Sequence, residues 1–481
     1  MSRLGALPAK VDLLVVGGGI TGAGIFREAA RAGVSVLLVE ARDYASGTSS
    51  WSSKLVHGGL RYLKTGEWRL TAESVHERER LLREAPDLVR PLDFVMPLYR
   101  GIKPGKTTMR LGLWLYDRFS RGGARSRFLP ATDASAVQPG LRAERLLGAV
   151  RYQDAYTDDC RLVWRLIDQG QRDGGRALNY VAAEQLLQAR DRVCGAALRD
   201  AETGESREIE AGLVINAAGV WADTLPGQPA GAPRLRPLRG SHLLFPQARL
   251  PLPQAVGWLH PRDRRPVFAY PWQGATLLGT TDLDHREDLW SPRMQRAEAD
   301  YLLEALDWLL PSAGLVLTDA LSSYAGVRPV VDDGADKPSA ASRESAQWAS
   351  PGFIGVTGGK LTTFRVTARQ ALRAAAQQLP ALRLAADSAP LFDRPAQESP
   401  GETPDLAQIR ARVGEQVFHL DDLLLRRSRA GLVLPEAAEA LIEPTLAACQ
   451  TQLGWDAERC AAEAGRYRDY WRRQHDPRGL A

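Results

Sequence analysis

An unbroken apolar run, Val11 to Val16, opens the chain and passes straight into Gly17-Gly18-Gly19-Ile20-Thr21-Gly22. Small residues follow, and a second apolar run, Val34 to Val39, ends on Glu40. Such runs predict buried strands, and the stretch between them has helical length. The expected order is strand, glycine turn, helix, strand, acid. Residues 41–65 are rich in Ser, Gly and Thr and predict a long functional loop. Residues 67–85, with Leu70, Val75, Leu81 and Leu82 among charges, predict a helix. Alternating segments continue to about residue 210. The run 213–223 then predicts a buried strand ending in a glycine turn. Residues 266–282 predict two strands around Gln273-Gly274, and 352–379 a strand, a glycine turn and a long helix. A Pro-rich stretch, 386–404, reads as a linker. Beyond it the pattern is helical, over 420–427, 435–453 and 456–474.

A length of 481 residues permits two or three domains with a large core. At 44% hydrophobic and 25% charged, the composition is that of a soluble globular chain. The net charge of +5 is modest for this length. It makes no case for nucleic acid, and it suits an anionic substrate or an anionic membrane surface. Cys160, Cys194, Cys449 and Cys460 form no C-x-x-C pair and no metal spacing, which predicts reduced thiols and no metal. No apolar run approaches the roughly 18 residues that span a bilayer. The glycine motif directly after the first run argues against a signal peptide. A cytoplasmic protein is expected, with any membrane contact peripheral.

Gly17 suits a tight turn, Gly19 a close approach to a pyrophosphate, and Gly22 close helix packing. The helix N-terminus that follows would offer N–H groups to phosphate, and Glu40 would accept from ribose hydroxyls. Together these predict a dinucleotide site. Only one G-x-G-x-x-G occurs, so a single dinucleotide is expected, with electrons arriving from the substrate.

Four motifs, GGGITGAG (17–24), TSSWSSKLVHGGLRYL (48–63), YAGVRP (324–329) and GGKLTTFR (358–365), are supported by NAAGVWAD (216–223), RGSHLLFP (239–246) and LGTTD (278–282). Together they resemble the FAD-dependent glycerol-3-phosphate dehydrogenases, as do DLLLRR (422–427) and GWD (454–456) in the tail. The resemblance covers almost the whole chain and implies FAD as the cofactor. It implies a Rossmann-like α/β FAD-binding domain built from about 1–60, parts of 150–225 and 340–385. An α+β antiparallel-sheet substrate cap would occupy about 61–149 and 226–339, and an all-helical domain 405–481. Implied cofactor contacts are Gly17, Gly19, Ile20, Thr21, Gly22, Glu40, Ala41, Thr48, Ser49, Ser53, Lys54, Leu55, His57 and Gly58. Val181, Ala218, Gly219, Gly359, Lys360, Leu361 and Thr362 complete the set. Trp51 departs from the pattern, since a small residue is expected in that loop.

The implied reaction is oxidation of sn-glycerol 3-phosphate to dihydroxyacetone phosphate, with electrons passed to a membrane quinone. An oxidase releasing peroxide, or another alcohol- or amine-oxidising flavoprotein, is the alternative. Gripping a phosphate calls for arginine, whose planar fork pairs with anionic oxygens. Arg61 and Arg328 lie in matched motifs and are the expected clamps, with Tyr62 and Arg343 as further substrate contacts. The hydroxyl proton needs a base, and a neutral imidazole suits that task. His57 is the first candidate and His242 its rival. Residues 103–122 interleave Met109, Leu111, Leu113, Trp114, Leu115, Tyr116 and Phe119 with Lys103, Lys106, Arg110, Arg118 and Arg121. That pattern suits either a peripheral membrane surface, on the cytoplasmic face of an inner membrane, or a segment packed in the cap. A homodimer is a candidate assembly.

Overall fold

The first apolar run forms β1 (Lys10–Val16), the glycines turn it into α1 (Ile20–Arg31), and β2 (Val36–Val39) returns beside β1 in parallel. The computed structural model describes residues 2–59, 67–120, 125–332, 334, 344–393 and 403–480. On its other side β1 pairs in parallel with the strand Ser206–Asn216, which in turn pairs with Phe353–Gly358. Arg176–Leu178 extends the sheet beyond β2. Side chains alternate in their allegiance, as the pleat requires. Leu13 and Val15 join a core with α1 and the helices Asp159–Arg172 and Phe364–Gln378. Leu14 and Val16 join a second core, under the antiparallel strands Val181–Ala189 and Arg192–Asp200. Gly22 lets α1 approach the turn: a Cβ there would lie 1.9 Å from the Gly17 carbonyl oxygen.

A second, ten-stranded sheet carries the rest of the β-structure. Its pairings are antiparallel except that Ala255–Leu259 runs parallel to Val89–Tyr99. Its two longest strands beside the site, Leu235–Pro246 and Ser322–Val331, pair over ten positions. The turn at Gln273-Gly274 forms as expected, with φ of +48° and +79°, between Pro266–Trp272 and Ala275–Gly279. The predicted helix at 67–85 is Trp68–Glu84. Two boundaries differ from the sequence reading. Leu55–Val56 pairs with the second sheet, not the first, because Lys54 turns the chain there at φ +54°. Residues 386–393 are a packed strap rather than a free linker. Leu391 and Phe392 are buried in the core of the first sheet, and Asp387 pairs with Arg369 and Arg373.

The tail folds as helices, chiefly Glu439–Leu453 and Ala457–Gln474, with a π-helical turn at Asp422–Arg427. It shares one continuous apolar core with the second sheet, in which Leu420, Leu424 and Trp471 join Trp51, Tyr324 and Trp272. The segment 103–122 divides. Its helix, Lys106–Phe119, buries Met109, Leu113 and Tyr116, while Leu111 and Trp114 are 60% and 53% exposed.

His419 ties the tail to the first sheet's outer turn. Its two ring nitrogens lie 3.1 Å from Glu202 and 2.8 Å from Glu463, and the two carboxylates push its pKa up to about 9 against the opposing effects of burial and Arg466. A folded pKa above the ordinary value stabilises the fold fully below the unfolded pKa of about 6.5 and is lost as pH rises through about 9. The stability gap between wild type and His419→Gln, followed by urea unfolding, should therefore be widest near pH 6 and should shrink steadily toward pH 10.

Candidate active site

Three segments converge where the two sheets meet: the turn into α1, the loop 41–58, and one face of the second sheet. At the turn, Gly17 has φ +110° and its missing Cβ would strike the Ala217 carbonyl, so no other residue fits. Gly19 caps α1 with no side chain on the helix end. Ser49 Oγ accepts from the Ile20 N–H at 2.9 Å and brings the loop back over the helix start. Glu40 accepts from the N–H groups of Gly18 (2.7 Å) and Arg42 (3.0 Å), and burial raises its pKa despite these bonds. Val181 donates to the Glu40 carbonyl, which places it beside Ala41 at the end of β2. Ala218 and Gly219 follow the central strand, and Thr357 Oγ1 holds the Gly219 carbonyl at 2.8 Å. A Cβ on Gly219 would meet nothing within 4 Å, so that edge is open.

These features fit a dinucleotide. A glycine cradle, a helix start with no side chain at its N-cap and an acid at the end of β2 occupy one end of the parallel sheet. At the far end of the loop, Thr362 Oγ1 donates to the His57 carbonyl at 3.2 Å and joins the 358–363 turn to the 53–58 segment. Gly359 there has φ +78°, next to Lys360 and Leu361. Gly58 donates to Asp154 at 3.0 Å, and its missing Cβ leaves room for the Tyr116 hydroxyl.

The face of the second sheet is shaped by absent side chains. A Cβ on Gly240 would lie 2.2 Å from the Arg328 guanidinium, and one on Gly279 would lie 2.1 Å from the His242 ring. A Cβ on Gly326 would strike the Trp51 carbonyl at 2.5 Å. The vacancies let Arg328 and His242 lie flat on neighbouring strands. Arg328 pairs with Asp282 (3.0 Å) and Thr280 Oγ1 (3.2 Å) and is 25% exposed. His242 is buried, stacks on Tyr324 at 4.7 Å between ring centroids, and bonds Ser53 Oγ at 2.9 Å through Nε2. Its Nδ1 has no hydrogen-bond partner. Burial, then the charges of Arg328 and Lys54, hold its pKa well below the ordinary value, so the ring is neutral at physiological pH.

Tyr324 and Tyr270 donate to the carbonyls of Ser52 (2.9 Å) and Ser53 (2.8 Å) and pin the loop to the sheet, and Thr48 Oγ1 donates to the Val327 carbonyl at 2.5 Å. Trp51, unexpected in this loop, is accommodated between Tyr324 and His475 of the tail. The side chain of Lys54 is wholly buried, with its ammonium 2.7 Å from the Ser50 carbonyl and 3.1 Å from Asp159. Its side chain is thus turned away from any cofactor surface, and only its backbone is left for such a contact.

Arg328, His242, His57, the loop serines and the glycine turns are thus brought to one region. Arg61, Tyr62 and Arg343 lie outside the described residues. Asp282 and Thr280, the partners of Arg328, lie in LGTTD. An acid and a hydroxyl closing a strand is the signal that could have identified them. Among the described residues no cluster of His, Cys, Asp and Glu is placed to hold a metal.

Comparison with known proteins agrees with this geometry. Residues 12–398 match the FAD dependent oxidoreductase family. The aerobic glycerol-3-phosphate dehydrogenase of Staphylococcus haemolyticus is 36% identical over 77% of this chain and 68% of its own length. That of Bacillus subtilis is 36% identical, with 64% of its length covered. The glycerol-3-phosphate dehydrogenase of Mycobacterium leprae is 33% identical over 95% of this chain and 87% of its own. Among solved structures, the glycerol-3-phosphate dehydrogenase from Bacillus halodurans complexed with FAD superposes with a TM-score of 0.80 at 26% identity, covering 97% of this chain and 95% of that one. FAD is accordingly the cofactor, a dinucleotide of the kind that the glycine cradle fits. By sequence and by fold, the chain belongs to the FAD-dependent glycerol-3-phosphate dehydrogenases, within the wider family of FAD-dependent oxidoreductases.

Proposed function

We propose that this protein oxidises sn-glycerol 3-phosphate to dihydroxyacetone phosphate and hands the electrons to a membrane quinone. The observation that carries the reading is the pairing of Arg328 and His242 on adjacent strands, over glycine vacancies, against the loop that closes the FAD cradle. Bound FAD supplies the two-electron acceptor. Arg328 binds the anionic end of the substrate through its guanidinium, held in place by Asp282 and Thr280. His57, at the end of the loop and only partly buried, takes the hydroxyl proton. His242 is the rival base, favoured by its neutral ring and unmet Nδ1. Arg61, Tyr62 and Arg343 are proposed as further substrate contacts. Glu40, Ser49, Gly219 and Thr362 are proposed as contacts of the cofactor.

Anaerobic addition of sn-glycerol 3-phosphate should bleach the flavin band of the yellow protein. Arg328→Ala should weaken substrate binding by about 1.5–3 kcal/mol, a rise in KM of roughly ten- to a hundredfold. A normal KM in that variant would remove the arginine from the site. Peroxide release in air at the rate of substrate oxidation would replace the quinone reading with the oxidase one.

The two histidines separate by their pH–rate profiles. His57→Asn should lose the limb in which activity rises with pH, while His242→Asn keeps that limb at a lower rate. The opposite pattern would move the base to His242.

Among the described residues no helix is long and apolar enough to cross a membrane. The proposed membrane contact is peripheral and rests on the exposed pair Leu111 and Trp114, with Arg118 5.2 Å from the Trp114 ring and Arg110 beside it. Burial of one such side chain contributes about 1.5–3 kcal/mol. The double variant Leu111→Ser, Trp114→Ser should therefore stay in the supernatant with anionic vesicles that pellet the wild type, with unchanged activity toward a soluble electron acceptor.

A further inference from the structure

We infer that Arg429, a residue of the helical tail, is a positioning residue for the oxidation site. Through Asp159, and with Asp158 sharing its charge, it fixes the backbone of residues 50–54, and so the place of Ser53 against His242. This rests on the function proposed above.

Arg429 is fully buried. It has φ +64°, a conformation that a residue with a Cβ adopts only when its surroundings hold it there. Its Nε and Nη2 donate to Asp158 Oδ1, both at 3.0 Å, and Nη2 also donates to Asp159. Nη1 donates to the Leu425 carbonyl at 3.0 Å and reaches the Ser50 carbonyl at 3.5 Å. The guanidinium is thus spent on the two carboxylates and on the loop itself.

Asp159 carries the constraint onward. Its Oδ2 accepts from Ser52 Oγ at 2.6 Å and from the Ser52 N–H at 3.3 Å, and its carboxylate pairs with Lys54. Lys54 also has a positive φ, +54°, and its carbonyl accepts from the Thr157 N–H at 2.9 Å. Ser52 and Lys54 are therefore held on either side of Ser53, whose Oγ bonds the ring of His242. Arg429 touches neither His242 nor the cradle of the cofactor. Its effect on them passes through the loop.

Charge explains why an arginine is required. Lys54, Arg429, Asp158 and Asp159 are each at most 3% exposed and balance to zero. Removing the guanidinium leaves two buried carboxylates facing one ammonium. Unpaired buried charge is costly enough that the loop or its protonation must change. A shape-matched apolar residue would complete a core, but it would not direct the Asp159 carboxylate at Ser52.

The test compares Arg429→Lys and Arg429→Met with wild type as FAD-loaded, full-length protein. In Arg429→Met, kcat per bound FAD should fall at least tenfold while KM for sn-glycerol 3-phosphate stays within about threefold. The pH profile of kcat and the visible absorption bands of the bound flavin should both shift, and Arg429→Lys should recover part of each change. A lower melting temperature with wild-type kcat per FAD, pH profile and flavin bands would overturn the inference and leave Arg429 a purely structural residue. Should the methionine variant be insoluble, Ser52→Ala removes only one hydroxyl from Asp159. It should shift the pH profile in the same direction, and an unchanged profile overturns the inference equally. If sn-glycerol 3-phosphate fails to bleach the wild-type flavin, the proposed substrate falls, and the flavin bands of Arg429→Lys still decide the role of Arg429.

Discussion

Charge removed from water has to be neutralised where it stands, and in this protein that requirement joins the beginning of the chain to its tail. Asp43, just past the acid at the end of β2, accepts two bonds from Arg427 at 2.7 and 2.8 Å and one from Arg426 at 2.6 Å. At the other end of the same loop, Asp159 is shared between Lys54 and Arg429, and Asp158 pairs with Arg429. Both arginine clamps come from the short stretch 426–429. The loop that closes the cofactor cradle is therefore held at both ends by one element of the tail. Such ion pairs repay their desolvation only with good geometry and full hydrogen bonding. That condition restricts the loop to a narrow set of conformations.

On the opposite side the loop meets a surface that works by subtraction. Gly240, Gly279 and Gly326 leave space on one face of the second sheet, and Arg328, His242 and the Trp51 backbone fill it. The histidine is kept uncharged by burial and by two neighbouring cations, while the arginine keeps a partly exposed edge. A charged clamp beside a neutral ring is compatible with the proposed binding of an anionic alcohol, whichever of His57 and His242 takes its proton.

How far this could be read from the chain differs with the range of the interactions. The βαβ unit, the Gln273-Gly274 hairpin and the helix Trp68–Glu84 follow from local periodicity and turn chemistry, and they appear where expected. Arg328 and His242 stand out in the sequence through their motifs, and the structure places them on paired strands. The burial of Lys54 was not foreseeable, because a lysine in a Ser-rich stretch reads as exposed until Asp159, 105 positions away, is placed beside it. The same holds for the merging of tail and second sheet into one core, and for the strap at 386–393, whose Pro-rich composition resembles a linker while Leu391 and Phe392 anchor it. The aromatic and basic segment at 103–122 carried two readings. The helix packs one face in the core, as the second reading expects, and leaves exposed Leu111 and Trp114, the pair on which the proposed membrane contact rests.

The distance along the chain between the loop and its clamps bears on biogenesis. Asp43 and Arg426 are 383 positions apart, and Asp158 and Arg429 are 271 apart. Contacts of such separation form late, because the intervening chain must be ordered first. A nascent polypeptide emerging from the ribosome can build the parallel sheet before residues 426–429 exist, but until then Asp43 and Asp158 lack their arginine partners. Fixing of residues 41–54 in this arrangement therefore follows the making of residues 426–429.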